Sequence, residues 1–183
     1  MNHCYKLKAS LLLTGLLFLP LAQAANTTKA DYDAGKTRIA ADYKLDHSAC
    51  ESLAGNAKDI CAEQAKGKQK VAMAELEYGH SETAGNRNKV LVAKADANYA
   101  VAKERCDDVA GNVKDVCVKQ AKATHVSALA DAKMGKQITE ARTDAADEKR
   151  DADYKVELEK CDATAGEAKS QCVDAAKAKF GKS

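Results

Sequence analysis

Three copies of a twelve-residue segment bounded by cysteines constrain the fold of this chain more than any other feature. The copies, which align without gaps, are 50–61 (CESLAGNAKDIC), 106–117 (CDDVAGNVKDVC) and 161–172 (CDATAGEAKSQC). Their first cysteines are 56 and 55 residues apart, and each copy has Ala-Gly at its centre. Agreement of this kind at a nearly fixed period indicates an internal structural repeat.

The residues around these segments favour helix. After residue 24 the chain is rich in Ala, Lys and Glu, which are good helix formers, and its single proline, Pro20, lies before that point. Glycine can end a helix at little cost by adopting the left-handed conformation. The predicted hairpin turns therefore lie at Gly55, Gly111 and Gly166. The asparagines that follow the first two glycines, Asn56 and Asn112, are expected to cap the next helix.

The two cysteines of each copy lie at equal distances on either side of its turn. In an antiparallel hairpin they would stand at the same height, about 8 Å from the loop, where they could meet disulfide geometry. Six cysteines allow 15 pairings, and the repeat selects the one within copies. The predicted disulfides are Cys50–Cys61, Cys106–Cys117 and Cys161–Cys172. Each closes a loop of about 12 residues, worth roughly 3 kcal/mol.

The predicted fold is therefore all-α, an array of three antiparallel helical hairpins, each with one intra-hairpin disulfide. Because alanine buries little area, we expect closely spaced helices and a thin core. Four segments are predicted: a signal peptide at 1–24 and hairpin repeats at 25–78, 86–134 and 136–183.

The two joints between repeats differ in sequence. Residues 79–86 repeat the Ala-Gly-Asn pattern with His80 and Leu91 in place of cysteines, so a turn without a disulfide is expected there. His80 itself is interpreted as a solvated loop residue. The second joint contains a lone Gly135, which a helix can carry at about 1 kcal/mol. Both a break and one long helix joining the second and third repeats are open at this joint.

Other roles for the cysteines have less support in the sequence. Zinc ligands usually lie two to four residues apart, and thioredoxin-type enzymes use C-x-x-C. Neither spacing occurs among these cysteines, and the histidines after residue 24 do not recur between copies. The sequence therefore predicts no catalytic residue, no metal site and no cofactor.

A tyrosine precedes the first cysteine of every copy by seven residues. Two helical turns separate the members of each pair, so each tyrosine lies on the same stripe as its cysteine. We interpret the tyrosines as packing across the hairpin beside the disulfide. The alternative is that they form an interaction surface. These residues are Tyr43, Tyr99 and Tyr154.

The N-terminus has the pattern of a cleaved secretory signal. Lys6 and Lys8 precede an apolar run at 11–21, and Ala22-Gln23-Ala24 suits a signal peptidase. The run is shorter than the roughly 20 residues of a stable membrane-spanning helix, although a membrane anchor is the alternative. Cleavage after Ala24 would remove Cys4 and leave six paired cysteines in an oxidising compartment.

The charge balance narrows the class of partner. The chain has 29 basic and 27 acidic residues, and the two lysines of the leader account for the difference. A balanced mature chain gives no electrostatic reason to expect a nucleic acid or an anionic membrane as partner. No later segment is long and apolar enough to span a membrane. We expect a protein partner, and the sequence does not indicate the oligomeric state.

The repeat unit resembles that of uncharacterised exported helical-repeat proteins of Gram-negative bacteria. The features that carry the resemblance are the tyrosine, C-x10-C with a central Ala-Gly, and an Ala-Lys pair after the second cysteine. The resemblance implies a periplasmic location and brings no activity, cofactor or catalytic residue. The hairpins are also remotely similar to the twin-cysteine hairpins of the mitochondrial intermembrane space, which carry two disulfides each.

These observations favour a non-enzymatic periplasmic protein with a structural or protein-interaction role, since repeat arrays often serve as extended binding surfaces. One alternative is an envelope stress protein with holdase-type chaperone activity. A second is a metal-binding or redox protein, for which His47, His80 and His125 are the only imidazoles after residue 24. An enzyme is the weakest hypothesis, because a thin array of alanine-faced helices offers no deep pocket.

Overall fold

The computed structural model describes residues 28–182, which form five helices. They are α1 (Lys29–Ala49), α2 (Gly55–His80), α3 (Ala84–Arg105), α4 (Gly111–Cys161) and α5 (Gly166–Phe180). Short 3₁₀ turns, Cys50–Ser52 and Cys106–Asp108, follow α1 and α3. No strand occurs in this part of the chain, and the predicted all-α class is confirmed. The predicted signal peptide, with Cys4, lies outside the described residues.

The three predicted disulfides are present, and each closes one hairpin. They join Cys50 to Cys61, Cys106 to Cys117 and Cys161 to Cys172, with 5.6 Å between the Cα atoms of every pair. The turn glycines adopt left-handed φ angles of 56°, 58° and 61° at Gly55, Gly111 and Gly166. A side chain at these positions would strain the backbone, which explains glycine at the centre of each copy.

The helices form a single row, because each packs mainly on its neighbours in sequence: α1 on α2, α2 on α3, α3 on α4 and α4 on α5. Within residues 28–182 no buried residue is polar or charged. The buried apolar side chains are mostly small, and three of them belong to disulfides: Cys50, Ala65, Ala74, Val90, Ala95, Cys106, Ala132, Cys161 and Ala176. The expected thin core is therefore observed.

Two glycines allow close approach between neighbouring helices. A Cβ added to Gly67 of α2 would lie 2.7 Å from the Cβ of Ala97 on α3, and one added to Gly35 of α1 would lie 2.7 Å from Leu76 Cδ1 on α2. Real Cβ atoms do not approach carbon this closely. The α1–α2 and α2–α3 interfaces thus depend on the absence of a side chain at these two positions.

Asn56 does not cap its helix as predicted. The residue before Gly55, Ala54, occupies the cap position of α2, where no side chain accepts a hydrogen bond. The Asn56 amide instead donates to the Glu104 carbonyl oxygen at 2.9 Å and to Asp108 Oδ1 at 2.7 Å. Both acceptors lie at the end of the second hairpin that carries its disulfide. The first two disulfide-bearing turns therefore lie side by side.

The joint between the first two hairpins is a turn, as expected, but its geometry differs from the prediction. The chain turns at 81–83, and Thr83 caps α3 by accepting a hydrogen bond from the Asn86 backbone N–H at 3.0 Å. Ala84-Gly85-Asn86 forms the first turn of α3, and Gly85 has no left-handed φ. The interpretation of His80 as a solvated loop residue is wrong. It is the half-buried last residue of α2, with its ring 4.9 Å from that of Tyr32.

The helix runs through Gly135 without a break, which makes α4 a 51-residue helix. At 1.5 Å per residue its length is about 77 Å. Its first part packs against α3 and its last part against α5. Every residue from Glu140 to Asp153 is exposed, so the middle of α4 has no helix beside it in the described chain. The third hairpin is held away from the first two by this segment.

None of the helices in residues 28–182 combines the length and the apolarity that crossing a membrane requires.

Candidate functional site

The three repeat tyrosines are half-buried and face the opposite helix of their own hairpin. The Tyr99 ring lies 4.7 Å from that of His125, and the Tyr154 ring lies 5.8 Å from that of Phe180. Tyr43 contacts His47 on its own helix at 5.6 Å and lines a small cavity together with Gln69 of α2.

The residues that face these tyrosines occupy one repeat position, eight residues after the second cysteine. They are Gln69, His125 and Phe180. Sequence reasoning missed this position because its residue type changes from copy to copy. The signal was nevertheless available, since the position mirrors the tyrosine across the turn.

The structure does not bring the three tyrosines together. Tyr43 and Tyr99 both lie two helical turns from adjacent disulfides. Tyr154 lies on α4, about 55 Å along the helix from Cys117 at 1.5 Å per residue. An interaction surface would therefore involve a single hairpin or the first two.

An apolar recess with a polar rim lies between α3 and α4. It has a volume of about 420 Å³ and opens beside the second disulfide. From α3 it is lined by Ala95, Asn98, Tyr99, Ala102 and Cys106, and from α4 by Cys117, Gln120, Ala121, Thr124, His125 and Ala128. We call this recess the α3–α4 groove. Its alanines fill too little space to close the gap between the two helices.

His125 is the polar centre of the α3–α4 groove. Its ring stacks on Tyr99 with only 12° between the ring planes, and its Nε2 lies 2.6 Å from Asp96 Oδ1 of α3. A carboxylate can only accept, so the imidazole N–H donates to it. The side chain of His125 is 18% exposed and that of Asp96 is 50% exposed. Stacking and hydrogen bonding together fix the imidazole across the two helices.

Ion pairs fasten the turns beside the second and third disulfides. Lys114 Nζ lies 2.8 Å from Asp107 Oδ1, and Lys169 Nζ lies 2.8 Å from Asp162 Oδ1. Because Asp107 accepts this hydrogen bond, the pKa of Lys114 is raised above its ordinary value. These pairs explain the acid and the lysine found at fixed positions in the second and third copies. In the first copy, whose residues are all described, Glu51 and Lys58 form no ion pair.

The α3–α4 groove offers both apolar contact and hydrogen-bonding groups. Its rim offers amide and hydroxyl groups at Asn98, Gln120 and Thr124, and its floor is apolar. His125 is held by Asp96, and no serine or free cysteine lies among the lining residues. Within residues 28–182 no group of three His, Cys, Asp or Glu side chains is placed to hold a metal ion.

Comparison with protein-family models, with curated protein sequences and with solved structures found no match to this chain.

Proposed function

We propose that this chain is an exported, non-enzymatic protein-interaction array that works in the periplasm. The observation that carries the proposal is the α3–α4 groove, an apolar recess of about 420 Å³ with a hydrogen-bonding rim on an otherwise thin array of helices. A recess of this size accommodates one or two apolar side chains of a partner. Tyr99 and His125 would offer their rings to such a side chain, and Gln120 and Thr124 would bind its backbone.

The arrangement of the helices in a single row supports a role in binding protein partners. Each helix buries one or two narrow stripes against its neighbours and leaves the rest of its surface accessible, as in other repeat arrays that bind partners along an extended face. Three disulfides stabilise an array whose core is too thin to contribute much burial. Disulfides of this kind persist in oxidising compartments, which supports export.

The groove is tested by filling it. Thr124 is an exposed groove residue, so Thr124→Trp would occupy the recess without changing the packed stripe of α4. Thr143→Trp, on the exposed middle of the same helix, is the matched control. The disulfide-intact protein and both variants would be used as baits in a periplasmic extract. We expect a partner that the protein and Thr143→Trp retain and Thr124→Trp loses. Equal retention by both variants would exclude the groove.

Export is tested separately by the intact mass of the protein recovered from the periplasm. The expected mass is that of a chain beginning at Ala25 with three disulfides. A chain that retains Cys4, or one found only in the cytoplasm, would contradict the localisation.

A holdase-type chaperone is the second candidate, and exposed aliphatic side chains favour it. Leu45 on α1 and Val113 on α4 are 69% and 62% exposed, so their apolar side chains are open to contact with an unfolded client. Chaperone activity predicts suppressed aggregation of a reduced client protein at stoichiometric amounts. The Leu45→Ser/Val113→Ser variant should suppress it less. Unchanged suppression by this variant, or none by the native protein, would rule this candidate out.

A further inference from the structure

The face of α4 that points away from α3 and α5 carries a row of exposed apolar side chains. Val116, Met134 and Val156 are 58%, 54% and 56% exposed, and Ile138 is 45% exposed. At 3.6 residues per turn these positions lie within an arc of about 80°. The same arc contains Ala123, Ala130, Ala141, Ala145 and Ala152, together with the polar Gln120, Ser127 and Glu148. We call the nine apolar residues of the arc the α4 stripe.

No element of the described chain covers the α4 stripe. Ala132, which is buried where α4 packs against α3, lies about 160° around the helix from Met134. The residues of α4 that face α5, among them Tyr154 and Cys161, lie on the same side as Ala132. The stripe is thus open over the 41 residues from Val116 to Val156, a length of about 60 Å.

The positions of apolar residues before Ile138 mirror those of apolar residues after it. Met134 is matched by Ala141, Ala130 by Ala145, and Ala123 by Ala152, each pair centred midway between residues 137 and 138. An antiparallel copy of the same helix would therefore place apolar residues opposite apolar residues at these six positions. Interfaces of two-fold dimers have this self-complementary character.

The charged residues beside the stripe follow the same antiparallel symmetry, so that bases on one side of the centre correspond to acids on the other side. Residues 119–136 contain four lysines and one acid, whereas residues 140–153 contain six acids and three bases. On one flank Lys122 and Lys133 precede the centre, and Asp144 and Asp151 follow it. On the other flank the order is reversed, with Asp131 before the centre and Arg142 after it.

Most of these flanking charges have no ion-pair partner among residues 28–182. Within residues 28–182 ion pairs form between Lys136 and Glu140, between Arg150 and Asp147, and between Lys182 and Asp151. Lys122, Asp131, Lys133, Arg142 and Asp144 form none. The exposed segment also places like charges four residues apart, such as Glu140 with Asp144, which weakens an isolated helix. A partner helix that brings lysines to this segment would offset that repulsion.

We propose that α4 pairs antiparallel with α4 of a second copy of this chain, with the two-fold axis beside Ile138. Apolar contacts along the stripe provide the attraction, and Lys133 of each copy lies near Asp144 of the other. The flanking charges fit this pairing, because an antiparallel pair brings the same flank of both copies together and places the lysines before the centre beside the acids after it. This pairing does not depend on the α3–α4 groove binding any partner.

The first test uses the disulfide-intact mature protein in sedimentation equilibrium at low ionic strength. We expect a dimer whose affinity falls as salt is added, since the flanking charges become screened. Ile138→Lys should weaken the dimer at least tenfold, because it places two like charges at the axis. Leu45→Lys, an exposed change on α1, is the matched control and should leave the dimer intact. A monomer at all concentrations, or a dimer insensitive to Ile138→Lys, would overturn the proposal.

The second test addresses orientation. Lys133→Glu and Asp144→Lys should each weaken association, because each places like charges beside one another across the dimer. The combined Lys133→Glu/Asp144→Lys variant restores opposite charges at both symmetric contacts and should recover most of the native affinity. Circular dichroism would confirm that all variants remain helical. A double variant as weak as either single variant would exclude the antiparallel pairing.

Discussion

Asn56 at the start of α2 donates its side-chain amide to the carbonyl oxygen of Glu104 at the end of α3, over 2.9 Å. The same amide reaches Asp108 Oδ1 at 2.7 Å. These two bonds join the turn of the first hairpin to that of the second, although 48 and 52 residues separate the partners. They are contacts between repeats, whereas the disulfides act only within repeats.

Asn56→Ala should therefore uncouple the two turns. We expect a loss of about 1–2 kcal/mol in the free energy of unfolding, because a part-buried carbonyl and a carboxylate lose their donor. Asn112→Ala is the matched control, since Asn112 has the same repeat position and its side chain makes no hydrogen bond within the described residues. Urea titration of the oxidised protein would measure both. Equal losses would show that Asn56 acts locally.

Gly67→Ala should destabilise the array by about 1–3 kcal/mol, because the new Cβ would lie 2.7 Å from the Cβ of Ala97 and the α2–α3 interface would have to open. Gly135→Ala tests the same change where nothing lies within 4 Å of the new Cβ. There we expect a gain of about 0.5–1 kcal/mol from helix propensity. Thermal unfolding of the two variants should shift in opposite directions. A shared sign would contradict the close-packing argument.

The third disulfide should be the most separable of the three. The hairpin that it closes contains the 15-residue α5, whose only buried residue is Ala176, and helices of that length are marginal alone. Cys161→Ala/Cys172→Ala should abolish amide protection in α5 while leaving α1 to α3 protected in hydrogen exchange. The second disulfide closes a hairpin that packs against α2. Cys106→Ala/Cys117→Ala should therefore lower amide protection both in that hairpin and in α2. Protection of α5 that survives the first variant would contradict this prediction.

Acid should destabilise the third hairpin through Asp151. Its pKa is lowered because Lys182 donates a hydrogen bond to it, with the two atoms 2.6 Å apart. A carboxyl whose folded pKa is lowered stabilises the fold above its unfolded pKa, near 4, and loses that contribution as the pH falls through the folded value. Melting temperatures between pH 6 and pH 2 should therefore decrease less for Lys182→Ala than for Lys119→Ala. Parallel decreases would show that the pair contributes nothing.

Most of the fold could be predicted from the spacing of residues that lie close together in the sequence. Two cysteines equidistant from a glycine determine a hairpin and its disulfide without any information from elsewhere in the chain, and all three pairs follow from it. Whether Gly135 would interrupt α4 was open, because the cost of one glycine is small beside the helix propensity of the residues around it. The structure resolves this point in favour of one helix.

Contacts between hairpins could not be predicted from the spacing of residues within one hairpin. The bonds of Asn56 depend on how two turns lie side by side, and the contact between the His80 and Tyr32 rings depends on the register between α1 and α2. The α3–α4 groove was missed for the same reason. Its open space results from the distance between two alanine-faced helices, which residue types alone do not determine.

The uncovered middle of α4 also determines the direction in which the third hairpin projects around the α4 axis. One residue inserted between Glu140 and Arg150 would turn α5 by about 100° around the α4 axis while moving it only about 1.5 Å along that axis. Eleven inserted residues would return it to within about 20° of its original azimuth, about 16 Å farther away. The number of residues in this segment therefore determines the orientation of the third hairpin around the α4 axis. Homologous chains that keep this orientation should differ in the length of the segment by about seven or eleven residues.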